Sequence, residues 1–231
     1  MVISHKNKFL FIHNDKTAGS AMREHFRWNK EFEIDLIGHW GKTMNAELWE
    51  QHGHMMCSVP QHSTATIIKG YFELMGWNWD EYFKFGIVRN PFDRIVSGYE
   101  WRRSVVNDWC QDDSRQGNKN HFQEIVSEVD GGFKQFVEKK CRGWNSQLRF
   151  FYSKKTKNCD VDFVGRYENL ETDFKHIVKT ILPNATDKLC ILKKANASIR
   201  RKDYRSYYDE ETRGIVEQNL SDELELLGYE Y

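Results

Sequence analysis

Proline is scarce in this chain. Pro60, Pro91 and Pro183 are the whole supply among 231 residues, so no proline-rich linker divides it. The chain reads as one domain over residues 1–231, long enough for a substantial core. Cysteine is scarce too, and odd in number: Cys57, Cys110, Cys141, Cys159 and Cys190 lie scattered. No C-x-x-C pair and no Cys/His cluster has zinc spacing, which argues against a metal module. Scattered thiols suit a reducing compartment, so the expected location is cytoplasmic. Neither sign of charge prevails, with 34 basic against 34 acidic side chains. That argues against the basic surface of a nucleic-acid binder and against the acidic excess of a disordered chain. Long hydrophobic runs are also missing. The start is short and polar and the first apolar run, Phe9–Ile12, is brief, so neither a signal peptide nor a membrane span is expected. No internal repeat or low-complexity tract occurs.

Aromatic side chains are plentiful, at 14% of residues with eight tryptophans. Apolar runs alternate with helical patterns. Phe9–His13 predicts a first strand and Ala18–Trp28 the helix after it. A second strand is expected at Glu33–Ile37, helices at Thr43–Gln51 and Ser63–Tyr71, and a loop at Gly53–Pro60. Tyr82–Val88 is a β-rich run that ends at Arg89, Asn90 and Pro91. Asn90 can cap a helix and Pro91 suits its first turn. Ile95, Val96 and Tyr99 then carry helical spacing to about Trp109. Cys110–His121 is polar and expected as an exposed loop. Phe122–Val129 and Phe133–Cys141 predict helices split by Gly131 and Gly132, Val161–Gly165 a late strand, and Asn169–Leu182 and Asp209–Leu227 further helices. Strands alternating with helices predict an α/β domain with a central, mainly parallel sheet flanked by helices. Ligands of such sheets bind outside the carboxyl ends of the strands.

Two motifs fall at those ends. After Phe9–Ile12 the chain turns at once into a polar loop with Lys16, Thr17, Gly19 and Ser20, and then into a helical pattern. Backbone N–H groups at a helix start, aided by the helix dipole, make an anion seat. The lysine precedes the glycine here, the reverse of the G-x-x-x-x-G-K-[ST] nucleotide loop. The stretch Ile12–Ser20, IHNDKTAGS, resembles the H-x-P-K-T-x-G-[TS] loop of sulfotransferases that use 3′-phosphoadenosine 5′-phosphosulfate (PAPS), in the carbohydrate sulfotransferase-like branch. Phe85–Tyr99, FGIVRNPFDRIVSGY, resembles that family's second signature, R-[DN]-P-x-x-R-x-x-S-x-[YF]. Both occur in order and at a family-like separation, with weaker likeness over Val161–Leu170 and Tyr207–Tyr231. The resemblance implies a sulfotransferase fold related in plan to the P-loop kinases. It also implies transfer of a sulfuryl group from PAPS to an acceptor hydroxyl, on a sugar or a small metabolite. The products would be a sulfate ester and 3′,5′-adenosine bisphosphate (PAP), with no metal required.

The resemblance also distributes roles. Lys16, Thr17, Ala18, Gly19, Ser20 and Ala21 fall at the seat for the 5′-phosphosulfate. Backbone N–H groups near Ala18–Ser20 and the hydroxyls of Thr17 and Ser20 can cradle its oxygens. Lys16 suits the bridging oxygen that gains charge as the S–O bond breaks. Arg89 and Ser97 occupy the family's positions for the 3′-phosphate, and a guanidinium can give that group paired hydrogen bonds. Arg94 fits the motif as well, either on the cofactor or in an ion pair with Asp93 or a nearby carboxylate. In the basic run from Lys193 to Arg205, the residues Arg200, Arg201 and Lys202 are expected on the nucleotide end. His62 is the expected general base, because an imidazole titrates near neutrality. His52 and His54 are the next candidates. Gln61 stands where the family usually has glycine, and Asp15 where its loop has proline. A carboxylate at that place must turn away from the cofactor or pair with a cation. Trp101 and Gln147 are the expected acceptor contacts, although aromatics at this density are more often core. Two other functions fit the motifs: a nucleotide-dependent kinase with an atypical phosphate loop, and a non-catalytic nucleotide- or sugar-binding module. The expected partner is a small-molecule or saccharide acceptor, with no nucleic acid and no membrane span.

Overall fold

The chain opens with a hairpin. In the computed structural model, which describes residues 1–38, 60–111, 119–141, 146–153, 158–193 and 203–231, Val2–Ser4 (β1) pairs antiparallel with Phe9–Ile12 (β2), placing Ile3 opposite Leu10. Next come Gly19–Trp28 (α1), Leu36–Ile37 (β3), Ala65–Met75 (α2), Phe83–Val88 (β4), Pro91–Gln111 (α3), Lys119–Val129 (α4), Gly132–Cys141 (α5) and Leu148–Phe151 (α6). Phe163–Arg166 (β5), Leu170–Ile181 (α7), Glu210–Asn219 (α8) and Ser221–Leu227 (α9) complete the described elements. The helix Thr43–Gln51 and loop residues 53–59 expected from sequence lie outside the described residues.

The sheet has the order β3-β1-β2-β4-β5. β4 runs parallel to β2, with Phe85 beside Phe11, and β5 runs parallel to β4, with Gly165 beside Ile87. The α/β architecture is as expected. Its parallel part is β2-β4-β5, and the antiparallel pairings gather on the β1 side, where β3 also joins. β1 itself is not foreseen, because three residues are too few to show a strand period. β2 is buried along its whole length, as a strand covered on both faces should be.

Two compact units divide the chain, Met1–Arg89 with Gln147–Asn196, and Asn90–Ser146 with Ala197–Tyr231. The first holds the sheet. Phe9, Phe11, Phe26, Phe32, Phe85, Phe174 and Ile177 form its core, with the Phe9 and Phe26 rings 5.1 Å apart and those of Phe11 and Phe85 5.5 Å apart. Gly86 is needed in mid-strand, since a Cβ there would stand 2.1 Å from the Phe151 ring of α6.

The second unit is helical. Asn90 starts α3 by accepting the Phe92 N–H at 2.9 Å, and its own amide donates to the Glu230 carbonyl at 2.8 Å. Phe92, Ile95, Tyr99, Phe136, Val137, Val216 and Leu220 pack its core. Arg94 is fully buried there. Burial drives the Cys141 thiol up to about 12, with Arg94 pulling it down and Glu223 pushing it up. Several boundaries differ from expectation: β3 begins only at Leu36, α2 runs from Ala65 to Met75, and β5 from Phe163 to Arg166. The expected loop Cys110–His121 is helical at both ends, since α3 continues to Gln111 and α4 begins at Lys119. The expected helix Asp209–Leu227 breaks at Leu220 into α8 and α9. No described helix is long and apolar enough to cross a membrane.

Candidate active site

Because β2, β4 and β5 are parallel, their carboxyl ends open on one edge of the sheet. Asn14, Arg89 and Tyr167 follow those three ends. Asn14 is buried and donates from Nδ2 to the Ile87 carbonyl at 3.2 Å and to Gln147 Oε1 at 2.9 Å. The same Gln147 oxygen accepts the Arg89 N–H at 3.0 Å, and Gln147 Nε2 donates to the Arg89 carbonyl at 2.8 Å. One amide therefore serves both backbone groups of Arg89, as a neighbouring strand would. Gln147, expected at an acceptor, is 0% exposed and braces the ends of β2 and β4.

Arg89 ties strand to loop. Its Nη1 donates to the Lys16 carbonyl at 3.0 Å, and its guanidinium lies 4.0 Å from the centre of the Tyr167 ring. The loop is tightly wound. Lys16 and Ala18 have φ of 63° and 65°, a left-handed conformation uncommon outside glycine. Thr17 Oγ1 donates to the Asn14 carbonyl at 3.0 Å. In this structure the hydroxyl proton expected to cradle an anion is held by the loop, and Thr17 shapes the turn. α1 then begins at Gly19 without a side-chain cap. Ser20, half-buried on its first turn, makes no hydroxyl hydrogen bond among the described residues. Gly19 and Ala21 are buried. A Cβ on Gly19 would lie 1.8 Å from the His13 ring, so the glycine is required by close approach of that imidazole.

His62 meets the loop from the other side of the sequence. Its Nδ1 is 3.0 Å from the His13 carbonyl oxygen and its Nε2 is 3.2 Å from Gln61 Nε2. The His13 and His62 rings are 4.5 Å apart. Gln61 Oε1 accepts from Arg23 Nη1 at 2.6 Å, which links α1 to the histidine. Burial lowers the pKa of His62 from 6.5, against upward pulls from its bond to the His13 carbonyl and from the charge of Asp15, while Arg149 acts downward. The Asp15 carboxylate thus has an electrostatic role at the histidine. His13 is 3% exposed, its Nδ1 has no hydrogen-bond partner, and burial holds its pKa well below 6.5. It is a neutral ring braced between loop and strand.

Lys16, Arg89 and the loop residues thus come together with His62 in the first unit. Ser97 is buried in the second unit, on α3, and Trp101 lies one turn further along that helix with 41% exposure. Arg200, Arg201 and Lys202 lie outside the described residues, as do His52 and His54. Sequence reasoning missed Asn14, Arg23 and Tyr167 and gave Gln61 no role. The Tyr167 signal was present in the motif-like stretch Val161–Leu170. The other three become visible only through partners far along the chain.

Residues 1–230 match the sulfotransferase family. Carbohydrate sulfotransferase 10 of Danio rerio is 25% identical over 196 residues, covering 76% of this chain and 50% of that protein. The chain thus spans about half the length of this curated relative. The match runs through the loop at Lys16, the strand end at Arg89 and the turn at Tyr167: the chain belongs to the sulfotransferase family.

Proposed function

We propose that the chain moves a sulfuryl group from PAPS to the hydroxyl of a sugar or small metabolite, with His62 as general base. The observation that carries this is the placement of His62: its Nδ1 is held by the carbonyl of His13, the residue that leads into the Lys16 loop. The residues present fit the cofactor. An uncapped helix start follows two left-handed residues, with the Ser20 hydroxyl beside it and Lys16 in the turn. Lys16, Ser20 and the N–H groups of Ala18, Gly19 and Ala21 would hold the phosphosulfate, with Thr17 shaping the turn. Arg89 would reach the 3′-phosphate, and the family pattern adds Ser97, Arg200, Arg201 and Lys202. When bound, PAPS supplies an activated sulfuryl group on a phosphorylated nucleotide.

The rest is the work of this chain. Burial keeps His62 neutral near pH 7, so its ring can accept the hydroxyl proton. The Lys16 ammonium would offset negative charge on the leaving phosphate, and loss of one such group costs roughly a hundredfold or more in kcat. Trp101 offers an exposed aromatic face to an acceptor. Residues 1–231 form one sulfotransferase domain in this reading. Its location is cytoplasmic, in keeping with the free thiols of Cys141, Cys159 and Cys190.

Thermal denaturation tests the reading. PAP at about a hundred times its Kd should stabilise the fold by about 2.7 kcal/mol, a rise of several degrees in Tm. Stabilisation by ATP-Mg²⁺ and not by PAP would favour the kinase. His62→Ala should keep that shift and lose transfer, and Lys16→Ala should lose transfer by about the factor above. Turnover surviving in His62→Ala would move the base elsewhere.

A further inference from the structure

We infer that Gln61, held by Arg23, is a positioning residue that fixes His62 as the Nδ1–H tautomer, leaving its lone pair on Nε2. The geometry stands alone, while its catalytic value rests on the reading of His62 as the base. The argument is one of donors and acceptors. A guanidinium only donates, so the 2.6 Å contact with Arg23 Nη1 must fall on the carbonyl oxygen of Gln61. The NH2 end of the amide then faces His62 Nε2 at 3.2 Å. An amide NH2 only donates, so Nε2 must accept. At the other end of the ring Nδ1 stands 3.0 Å from the His13 carbonyl, which only accepts, so Nδ1 carries the proton.

The two ends agree. The opposite tautomer would set N–H against N–H at Gln61 and a lone pair against an oxygen at His13. Gln61 is 8% exposed, which limits its replacement by water. In water a neutral imidazole prefers its proton on Nε2, so these neighbours reverse the intrinsic choice. The benefit is economy of motion. An acceptor O–H arriving at Nε2 replaces the Gln61 N–H donor for donor, and meets a lone pair without any proton moving first. The glycine usual at this place in the family has no side chain to do this.

Long-range ¹H–¹⁵N correlation spectra of the full chain, labelled at histidine and recorded at pH 8, read the tautomer directly. His62→Ala identifies the His62 signals. The expected result is a protonated Nδ1 and an unprotonated Nε2 in the unliganded protein. A protonated Nε2 overturns the inference. Gln61→Glu offers Nε2 only an acceptor while Nδ1 still faces the His13 carbonyl, so Nε2 should gain a proton and kcat fall at least tenfold with KM for PAPS unchanged. An unprotonated Nε2 in that variant also counts against the inference. The two readings part cleanly. With the expected spectrum and an active His62→Ala, the tautomer stands and the base assignment fails. A protonated Nε2 in an enzyme that His62→Ala silences leaves the base and removes the role of Gln61.

Discussion

Asp15 is the residue at which the chain departs most from the loop pattern, and its charge acts on His62. Burial pulls the His62 pKa down from 6.5, while the His13 carbonyl and the Asp15 carboxylate pull it up. A base works unprotonated, so the acid limb of kcat/KM should fall below pH 6.5. A negative charge stabilises the protonated ring, so Asp15→Asn should move that limb further toward acid. A pH profile of the two proteins measures this, and a limb that moves toward neutrality would place the action of Asp15 elsewhere. The pattern of residue types made Lys16, Arg89 and His62 legible as candidates. It did not reveal that Asp15 bears on the histidine, since that depends on how the loop winds through its two left-handed residues.

Among the elements, the ends of β2 and β4 depend on one side chain. Gln147→Leu would remove its hydrogen bonds to the Arg89 N–H, the Arg89 carbonyl and Asn14, at about 1–3 kcal/mol for each buried group left unsatisfied. In a chain of this size about 1 kcal/mol lowers Tm by roughly 2–4 °C, so the loss should be plain in a melting curve. Trp101→Ala, on the exposed side of α3, should leave stability within about 0.5 kcal/mol of the parent. A Gln147→Leu protein with unchanged Tm and a raised acceptor KM would return Gln147 to the acceptor. β2, β4 and β5 were legible because each is an apolar run stopped by polar turn residues, and the start of α3 because Asn90 and Pro91 announce it. β1 was hidden by its length. The brace was hidden because Gln147 lies 58 positions from Arg89 and nothing local distinguishes a bracing amide from one that faces a ligand. The break at Leu220 was hidden because α8 and α9 carry one continuous helical pattern.

At the scale of the whole molecule, the sheet-bearing unit is assembled from two separate stretches, Met1–Arg89 and Gln147–Asn196, with Asn90–Ser146 inserted between them. Neither stretch holds all the strands, since β5 belongs to the second and its partner β4 to the first. That arrangement favours one cooperative unfolding event. Scanning calorimetry should give a single transition with calorimetric and van't Hoff enthalpies equal, whereas two resolved transitions would divide residues 1–231 into separate domains. The insertion also sets an order of events during synthesis. β4 leaves the ribosome well before Phe163–Arg166, and until those residues follow, one edge of β4 is an open row of N–H and C=O groups flanked by Phe83 and Phe85. Such an edge is a template for pairing with other chains. The finished fold covers it with β5, so the hazard of aggregation falls on the nascent polypeptide, in the interval while the inserted segment is being translated.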